Sequence, residues 1–547
     1  STFSNGTCDL NGSTTVTCDS NTDIQVGQSV TGDGIPYGAY VTAVNDSTAV
    51  TSFTLSEAAT TNASNVTLTF YRGTGDSNTC IGYTAGEDIT WGYENVLTGR
   101  DAGKEFTTNS QNVAIGAYAL DAANGGENFN VAVGYATLST ETSGADYCTA
   151  VGYSALLNQN ANVKNTAIGG LAGDAITNGT GNTIMGYAAG SGLSGNDNNT
   201  YIGHTSGQSA TGSDNVAIGA GAYNDSSATG DDNVIIGSQA GDALTDGPGN
   251  VLIGRSAGGA MTTGDYNVAI GFQAADAMTG DSNYNIAIGS NALGAEASGA
   301  DSCIAIGRNA LNVQNDASAI NMAIGENAGD AITSGTSNVL VGHSAGSAIT
   351  TSSSNTVLGR EAYAGGTGAT NVVVGAFAMD GASSGSGNVA VGTSAMGATA
   401  AACDSNVAIG NSALFAINHA DGDNNIAIGK DAGRYYEDTA TTTPGSATPD
   451  GNNTAGANSI FIGYDTRASE SDRSNEIIIG HTAVGNGSNT ITLGNDDTSS
   501  IHCADTSISA LSDRRIKRDI TDNNVGLDFV EKLATINYKR LNPADWP

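Results

Sequence analysis

From Asn78 to Gly494 the chain alternates a short apolar burst with a longer run of Gly, Ala, Ser, Thr, Asp and Asn. The burst is a five-residue phrase, Asn112-Val113-Ala114-Ile115-Gly116, which returns as Asn215-Val216-Ala217-Ile218-Gly219, as Asn267-Val268-Ala269-Ile270-Gly271 and again at Asn406–Gly410. Its closing glycine advances by about 17 residues per step over the twenty steps from Gly82 to Gly429, and a fixed period of that size marks stacked repeats.

The phrase reads as a strand, because side chains alternate faces with period two. Its first and third apolar positions are Val, Ile, Leu, Met or Thr, and the position between them is most often Ala, as at Ala114, Ala132, Ala167, Ala217 and Ala408. Neither face carries charge in these copies, so both need cover: one from the coil's own interior, the other from a second layer or subunit. The glycine ends the strand where a turn needs positive φ or close backbone approach. The opening Asn is placed to stack on the Asn of the next coil as an amide ladder. A second phrase follows, as in Gly325-Glu326-Asn327-Ala328-Gly329-Asp330-Ala331-Ile332-Thr333, and then turn formers such as Thr279-Gly280-Asp281-Ser282. One period is therefore expected to hold at least two short strands and a polar turn. The fold expected is all-β, an elongated parallel β-helix or β-roll of about 17 residues per coil, each rung sealed by its neighbours.

Composition narrows this picture. With 76 Gly, 13% charged and 6% aromatic residues among 547, the chain has too few large side chains for a broad globular core, and thin coils with small interiors suit it. The 6 prolines and the strict period argue against disorder and against collagen. A net charge of −36 disfavours nucleic acid as a partner, since a duplex binder needs a basic stripe. Most acids are single Asp residues in the turns, which reads as a solvated surface; calcium (Ca2+) held by some turns is the alternative, although their spacing is not that of a calcium nonapeptide repeat.

Seven dispersed cysteines do not make a disulfide framework. Cys148 and Cys303 stand where the phrase has Asn, so they read as ladder substitutions, and Cys8 and Cys18 could pair across a hairpin. No Cys or His spacing suits a metal. No apolar run approaches the roughly 20 residues of a membrane helix, so no membrane insertion is expected, and the first residues show neither the basic start nor the apolar core of a signal peptide.

In order, residues 1–74 read as a small β module of alternating strands, 75–433 as the repeat shaft, 434–457 as an inserted loop, 458–510 as modified terminal coils and 511–547 as a separate basic segment with helical spacing of Leu527, Val530 and Leu533. In the loop, Tyr435 and Tyr436 offer ring faces with polar tips, a candidate glycan-binding spot; packing against their own coil is the alternative. From Asn458 the phrase is read as one residue longer, as in Asn458-Ser459-Ile460-Phe461-Ile462-Gly463.

Three stretches resemble known families. Val26-Gly27-Gln28-Ser29-Val30-Thr31-Gly32-Asp33-Gly34-Ile35-Pro36 resembles a small β module of phage fibres and bacterial surface proteins, which implies a spacer or a joint to other tail proteins at the N-terminus. The repeats resemble the heads of trimeric autotransporter adhesins and the shafts of phage tail fibres, in which three chains lie side by side. The uncharged Ala face independently asks for a partner surface, which a homotrimer supplies. Ser512-Asp513-Arg514-Arg515-Ile516-Lys517-Arg518-Asp519-Ile520 resembles the opening of the self-cleaving intramolecular chaperone domain of phage endosialidases and tail spikes. That resemblance implies Ser512 as nucleophile and Lys517 as its base, with Asp513 and Arg515 supporting, and cleavage at Ser512 after assembly. Only about 35 residues follow Ser512, short of that family's usual domain.

Together these imply a virion tail fibre, trimeric and extracellular, that attaches to a host cell-surface glycan or protein and has no substrate-directed activity. A bacterial surface adhesin with the same coils is the alternative. A glycan-degrading tail spike is disfavoured, because no pair of carboxylates stands out from the repeating Asp set.

Overall fold

The computed structural model describes residues 2–500 except 46–49, 72–76, 125, 142–143, 161–162, 226, 296–298, 382, 399–401, 418–421, 437–450 and 454–455. The described residues hold no helix. They form an N-terminal antiparallel sheet followed by a parallel β-solenoid.

The N-terminal module consists of β1 (Thr2–Asn11), β2 (Thr15–Asn21), β3 (Ser29–Thr31), β4 (Val41–Val44), β5 (Val50–Leu55) and β6 (Asn62–Tyr71). The strand order is β3-β6-β1-β2-β5-β4, so β1 lies inside the sheet. Alternation sends Leu10, Val16, Val30, Val41, Phe53, Leu68 and Phe70 into one core, where Phe53 and Phe70 meet edge to face at 5.3 Å. Trp91, in the turn of the first coil, lies over Gly27 so closely that a Cβ there would come within 2.2 Å of its indole nitrogen.

The solenoid contains one three-residue strand per coil, and 24 such strands stack in parallel among the described residues. Register is strict. Val131, Ala132 and Val133 pair with Val113, Ala114 and Ile115 on one side and with Thr149, Ala150 and Val151 on the other. The ladder is open, since its first strand, Thr79–Ile81, and its last, Ile491–Leu493, each pair with a single neighbour.

The second strand expected in each coil does not form. After the strand, backbone conformation alternates into the left-handed region, at Gly116 (φ 135°), Tyr118 (61°) and Leu120 (51°), and a strand cannot propagate through such residues. The segment still stacks on its neighbours through backbone bonds, Tyr118 N–H to Arg100 O at 2.9 Å and Leu120 N–H to Thr137 O at 3.0 Å. At the repeat glycine a side chain has no room: a Cβ on Gly116 would sit 2.1 Å from the Gly134 carbonyl oxygen.

The asparagine that opens each phrase is buried and lies at the centre of a polar ladder. Asn130 N–H donates to Asn112 Oδ1 at 2.9 Å, and Asn112 Nδ2 donates to the Glu127 carbonyl at 2.8 Å. The same pair of bonds recurs at Asn285 N–H to Asn267 Oδ1 and Asn267 Nδ2 to Ser282 O. The amides thus join mainly to backbone groups of the next coil, which satisfies buried polar atoms that would otherwise be costly.

The coil interior is filled by complementary volumes. Where the strand centre is Ala114, Ala132, Ala150, Ala287 or Ala305, the residue four past the repeat glycine is Leu120, Leu138, Leu156, Leu293 or Leu311, all buried. Where the strand centre is Leu97, Ile184, Tyr201, Leu252 or Leu340, that residue is glycine. A Cβ on Gly258 would meet Leu252 at 2.9 Å, and one on Gly207 would meet the Tyr201 ring at 2.4 Å. In these coils one of the two interior sites is large and the other small, which keeps the packing dense.

Two expectations about the strand are corrected. The Ala face is the interior of the coil, fully buried at Ala114, Ala167, Ala217 and Ala408; the face left outward is the branched one, with Ile168 at 37% and Ile115 and Ile409 at 39% exposure. The phrase also does not lengthen after Asn458. Ser459 takes the ladder position, its N–H bonded to Asn425 Oδ1 at 2.9 Å, and Ile460, Phe461 and Ile462 keep register with Ile426, Ala427 and Ile428. Asn458 and Asn475 have moved one place outward to left-handed positions (φ 56° and 58°). Buried Glu476 fills the next ladder site, its carboxylate accepting from Ser469 Oγ at 2.8 Å and Gly487 N–H at 2.9 Å.

Candidate functional site

The outward strand face and its two margins are the surface that the repeats build in every coil. The face is a column of Val, Ile and Thr, half-buried by the coils above and below. One margin is the residue after the repeat glycine. Here Tyr135 and Tyr153 stack at 5.5 Å with rings 8° apart, Tyr187 stacks on His204 at 5.6 Å and Tyr464 on His481 at 5.2 Å. Arg255 lies over Phe272 at 4.6 Å, and Lys430 lies over Tyr464 at 5.5 Å.

The other margin is the residue before the ladder asparagine. It carries two further stacked pairs, Phe129 with Tyr147 at 4.8 Å and Tyr266 with Tyr284 at 5.5 Å, with rings 5° and 6° apart. All four are exposed and have φ between 53° and 62°, a region that bulky side chains rarely adopt. Other coils place Gly181, Gly249, Gly387 or Asn198 at the same point, residues that tolerate it easily, but also Glu94, Gln111 and Thr370. These four rings form two exposed, coplanar pairs on this margin.

The turn acids next to this margin serve the backbone. Asn128 N–H donates to Asp146 Oδ1 at 2.6 Å, Asn283 N–H to Asp301 Oδ1 at 2.6 Å and Asp404 N–H to Asp423 Oδ1 at 2.7 Å. This second ladder, two residues ahead of the asparagines, accounts for the recurrence of Asp and Asn in the turns. Among the described residues no three His, Cys, Asp or Glu side chains converge as a metal-ion cage.

A different set of acids lies five residues past the repeat glycine. Burial pushes the Asp121 carboxyl up to about 6, and the neighbouring Asp101 and Glu105 add to the effect. Burial likewise raises Asp174 and Asp330, and Asp242 with help from Asp225.

The cysteines in the ladder reveal a device that sequence reading missed. Gln159 Nε2 donates to Cys148 Sγ at 3.0 Å while its Oε1 accepts from Asn165 Nδ2 at 3.0 Å, and the thiol donates to Val163 O at 2.7 Å. Gln314 does the same between Cys303 Sγ at 3.1 Å and Asn321 Nδ2 at 2.8 Å. In both copies the glutamine follows the cysteine by eleven positions, a spacing that was available as a signal.

Of the residues singled out in the sequence, Tyr435 and Tyr436 are half-buried and form a two-residue antiparallel ladder with Gly451–Asn452. Tyr436 packs against the solenoid core. Arg434, paired with Asp431 at 2.8 Å, lies over both Phe415 (4.6 Å) and Tyr435 (4.8 Å). Ser512, Asp513, Arg515 and Lys517 lie outside the described residues, as does the helical spacing at Leu527 to Leu533.

The fold and this surface define a parallel β-solenoid repeat protein with an apolar, aromatic-edged outward face. No family model and no curated protein matches the chain.

Proposed function

We propose that the chain is the shaft of a homotrimeric attachment fibre, a phage tail fibre, whose outward strand faces pack together and whose aromatic margins meet a host-surface glycan. The observation that carries this reading is the outward Val/Ile column. An apolar stripe repeated over so many coils would expose far more contiguous nonpolar surface than a solitary chain ordinarily tolerates, and a closed symmetric assembly covers it. The coplanar pairs Tyr266/Tyr284 and Phe129/Tyr147 support the glycan, since stacked rings offer flat apolar faces with polar tips to a sugar. The net charge of −36 supports a fibre that stays soluble and does not bind nucleic acid.

Two measurements test this. Light scattering on the purified chain is expected to give three times the chain mass; a monomer at micromolar concentration overturns the assembly. Binding of labelled fibre to intact bacteria is expected to fall with Tyr266→Ala/Tyr284→Ala, and unchanged binding removes the aromatic margin from the reading. The C-terminal self-cleavage rests on the Ser512 to Ile520 resemblance alone: intact-mass measurement is expected to show a released C-terminal piece that Ser512→Ala abolishes.

A further inference from the structure

We propose that Cys8 and Cys18 form an intrachain disulfide that staples β1 to β2 in the N-terminal module. The two residues are direct cross-strand partners, in register with Asp9 opposite Thr17 and Leu10 opposite Val16. Cys8 and Leu10 on β1, with Val16 and Cys18 on β2, therefore share the sheet face that covers the core. Directly opposed residues of an antiparallel pair have Cα atoms about 4.5–5.5 Å apart, inside the roughly 4.4–6.8 Å span of disulfides, so the bond needs rotation of side chains and little movement of backbone.

A second observation places the staple where the sheet is weakest. β1 runs between β6 and β2, and its register with β6 slips on both sides of Cys8, between Asn5 and Cys8 and between Cys8 and Leu10. Those irregularities remove ladder bonds at that point, and a covalent link across the other edge of β1 compensates.

The two thiols also differ in a way that suits stepwise oxidation. Cys8 is fully buried, whereas Cys18 is partly open to solvent. Each thiol reaches a backbone carbonyl, Cys8 Sγ donating to Asn5 O at 3.8 Å and Cys18 Sγ to Val50 O at 3.7 Å, and the interaction between the two lowers the Cys18 thiol and raises that of Cys8. A small-molecule disulfide such as oxidised glutathione reaches Cys18 first. The Cys18 thiolate attacks one of its sulfurs and releases one glutathione thiolate, leaving a mixed disulfide. The Cys8 thiolate then attacks Cys18 Sγ and releases the second glutathione thiolate. Two protein thiols are oxidised, one glutathione disulfide is reduced to two thiols, and the two protons pass to the leaving thiolates. No other pair of described cysteines is arranged so: Cys148, Cys303 and Cys403 are buried in separate coils, and Cys80 is exposed on the first.

The test uses the full chain in glutathione buffers of increasing oxidised fraction. No Lys or Arg precedes Arg72, so both cysteines fall in one tryptic peptide. That peptide is expected to become lighter by two hydrogens and to resist alkylation until reduced. Amide exchange across β1 and β2 should slow on the order of a hundredfold on oxidation and recover with reductant. Cys18→Ser, at the partly exposed position, keeps the fold and should show neither change, while Cys8→Ser should hold a lasting glutathione adduct on Cys18. A wild-type peptide that stays doubly alkylated under oxidising glutathione, or that carries a persistent adduct on Cys18, overturns the proposal.

Discussion

A single buried asparagine per coil meets three demands at once: its Oδ1 takes a backbone N–H, its Nδ2 gives to a turn carbonyl, and its own N–H reaches the coil before. Asn267→Ala would leave Asn285 N–H and the Ser282 carbonyl without their partners. The expected loss is roughly 2–4 kcal/mol, visible as faster amide exchange confined to the adjoining coils. Cysteine at this position is tolerated because Gln159 or Gln314 swings into the gap and restores the link to the next asparagine. Charge acts at this scale too. The Asp121 carboxyl titrates near 6 in the folded chain against 3.8 for a free carboxyl, so folding favours its protonated form. Its contribution to stability is fully present below about pH 4 and is lost as pH rises through about 6. Because the group is only half-buried, the effect is on the order of 1 kcal/mol after screening. Denaturant midpoints for Asp121→Asn should therefore fall less between pH 4 and pH 7 than those of the parent chain; equal slopes would remove Asp121 as a cause.

Coils such as those of Leu252 and Ala287 work by exchanging volume between two interior sites. Leu252→Ala is expected to cost about 2–5 kcal/mol, because the cavity cannot collapse between stacked neighbours. Gly258→Leu alone is expected to clash with Leu252. Leu252→Ala with Gly258→Leu recreates the arrangement of Ala287 with Leu293, and leucine already adopts the required φ there, 52°. The pair should recover most of the lost stability in a double-mutant cycle by chemical denaturation; additive losses would show that the two sites do not share space. Strand position was legible in the sequence because period two and the closing glycine are local signals. The absence of a second strand was not, since Tyr118 and Leu120 carry no mark of a left-handed backbone in their side chains and only stacking on the coils either side holds them there.

For the molecule as a whole, the outward face decides association. Val268→Asp with Ile270→Asp places charge on that face without touching the interior Ala269. The variant is expected to keep the β-sheet circular dichroism of the parent while its assembly weakens by tenfold or more, read by light scattering against dilution; an unchanged assembly would point to another surface. The N-terminal sheet follows ordinary alternation, and its strands were readable at Val41–Val44 and within Asn62–Tyr71. The margins of the solenoid were less so. The pairs Phe129/Tyr147 and Tyr266/Tyr284 lie about one period apart in sequence, but only coil stacking brings their rings within 4.8 and 5.5 Å.

The sequence by itself determined the period, the parallel stacking and the buried asparagine column, because a repeat of about 17 residues confronts every side chain with its own copy. Which face of the strand is core and which is surface was decided only by tertiary structure. Ala, Val and Ile are all uncharged, so polarity could not separate the two faces, and the direction in which the chain closes each coil made Ala the inner residue. The ladder places of Ser459 and Glu476 were settled in the same way, by register with Asn425 rather than by residue type.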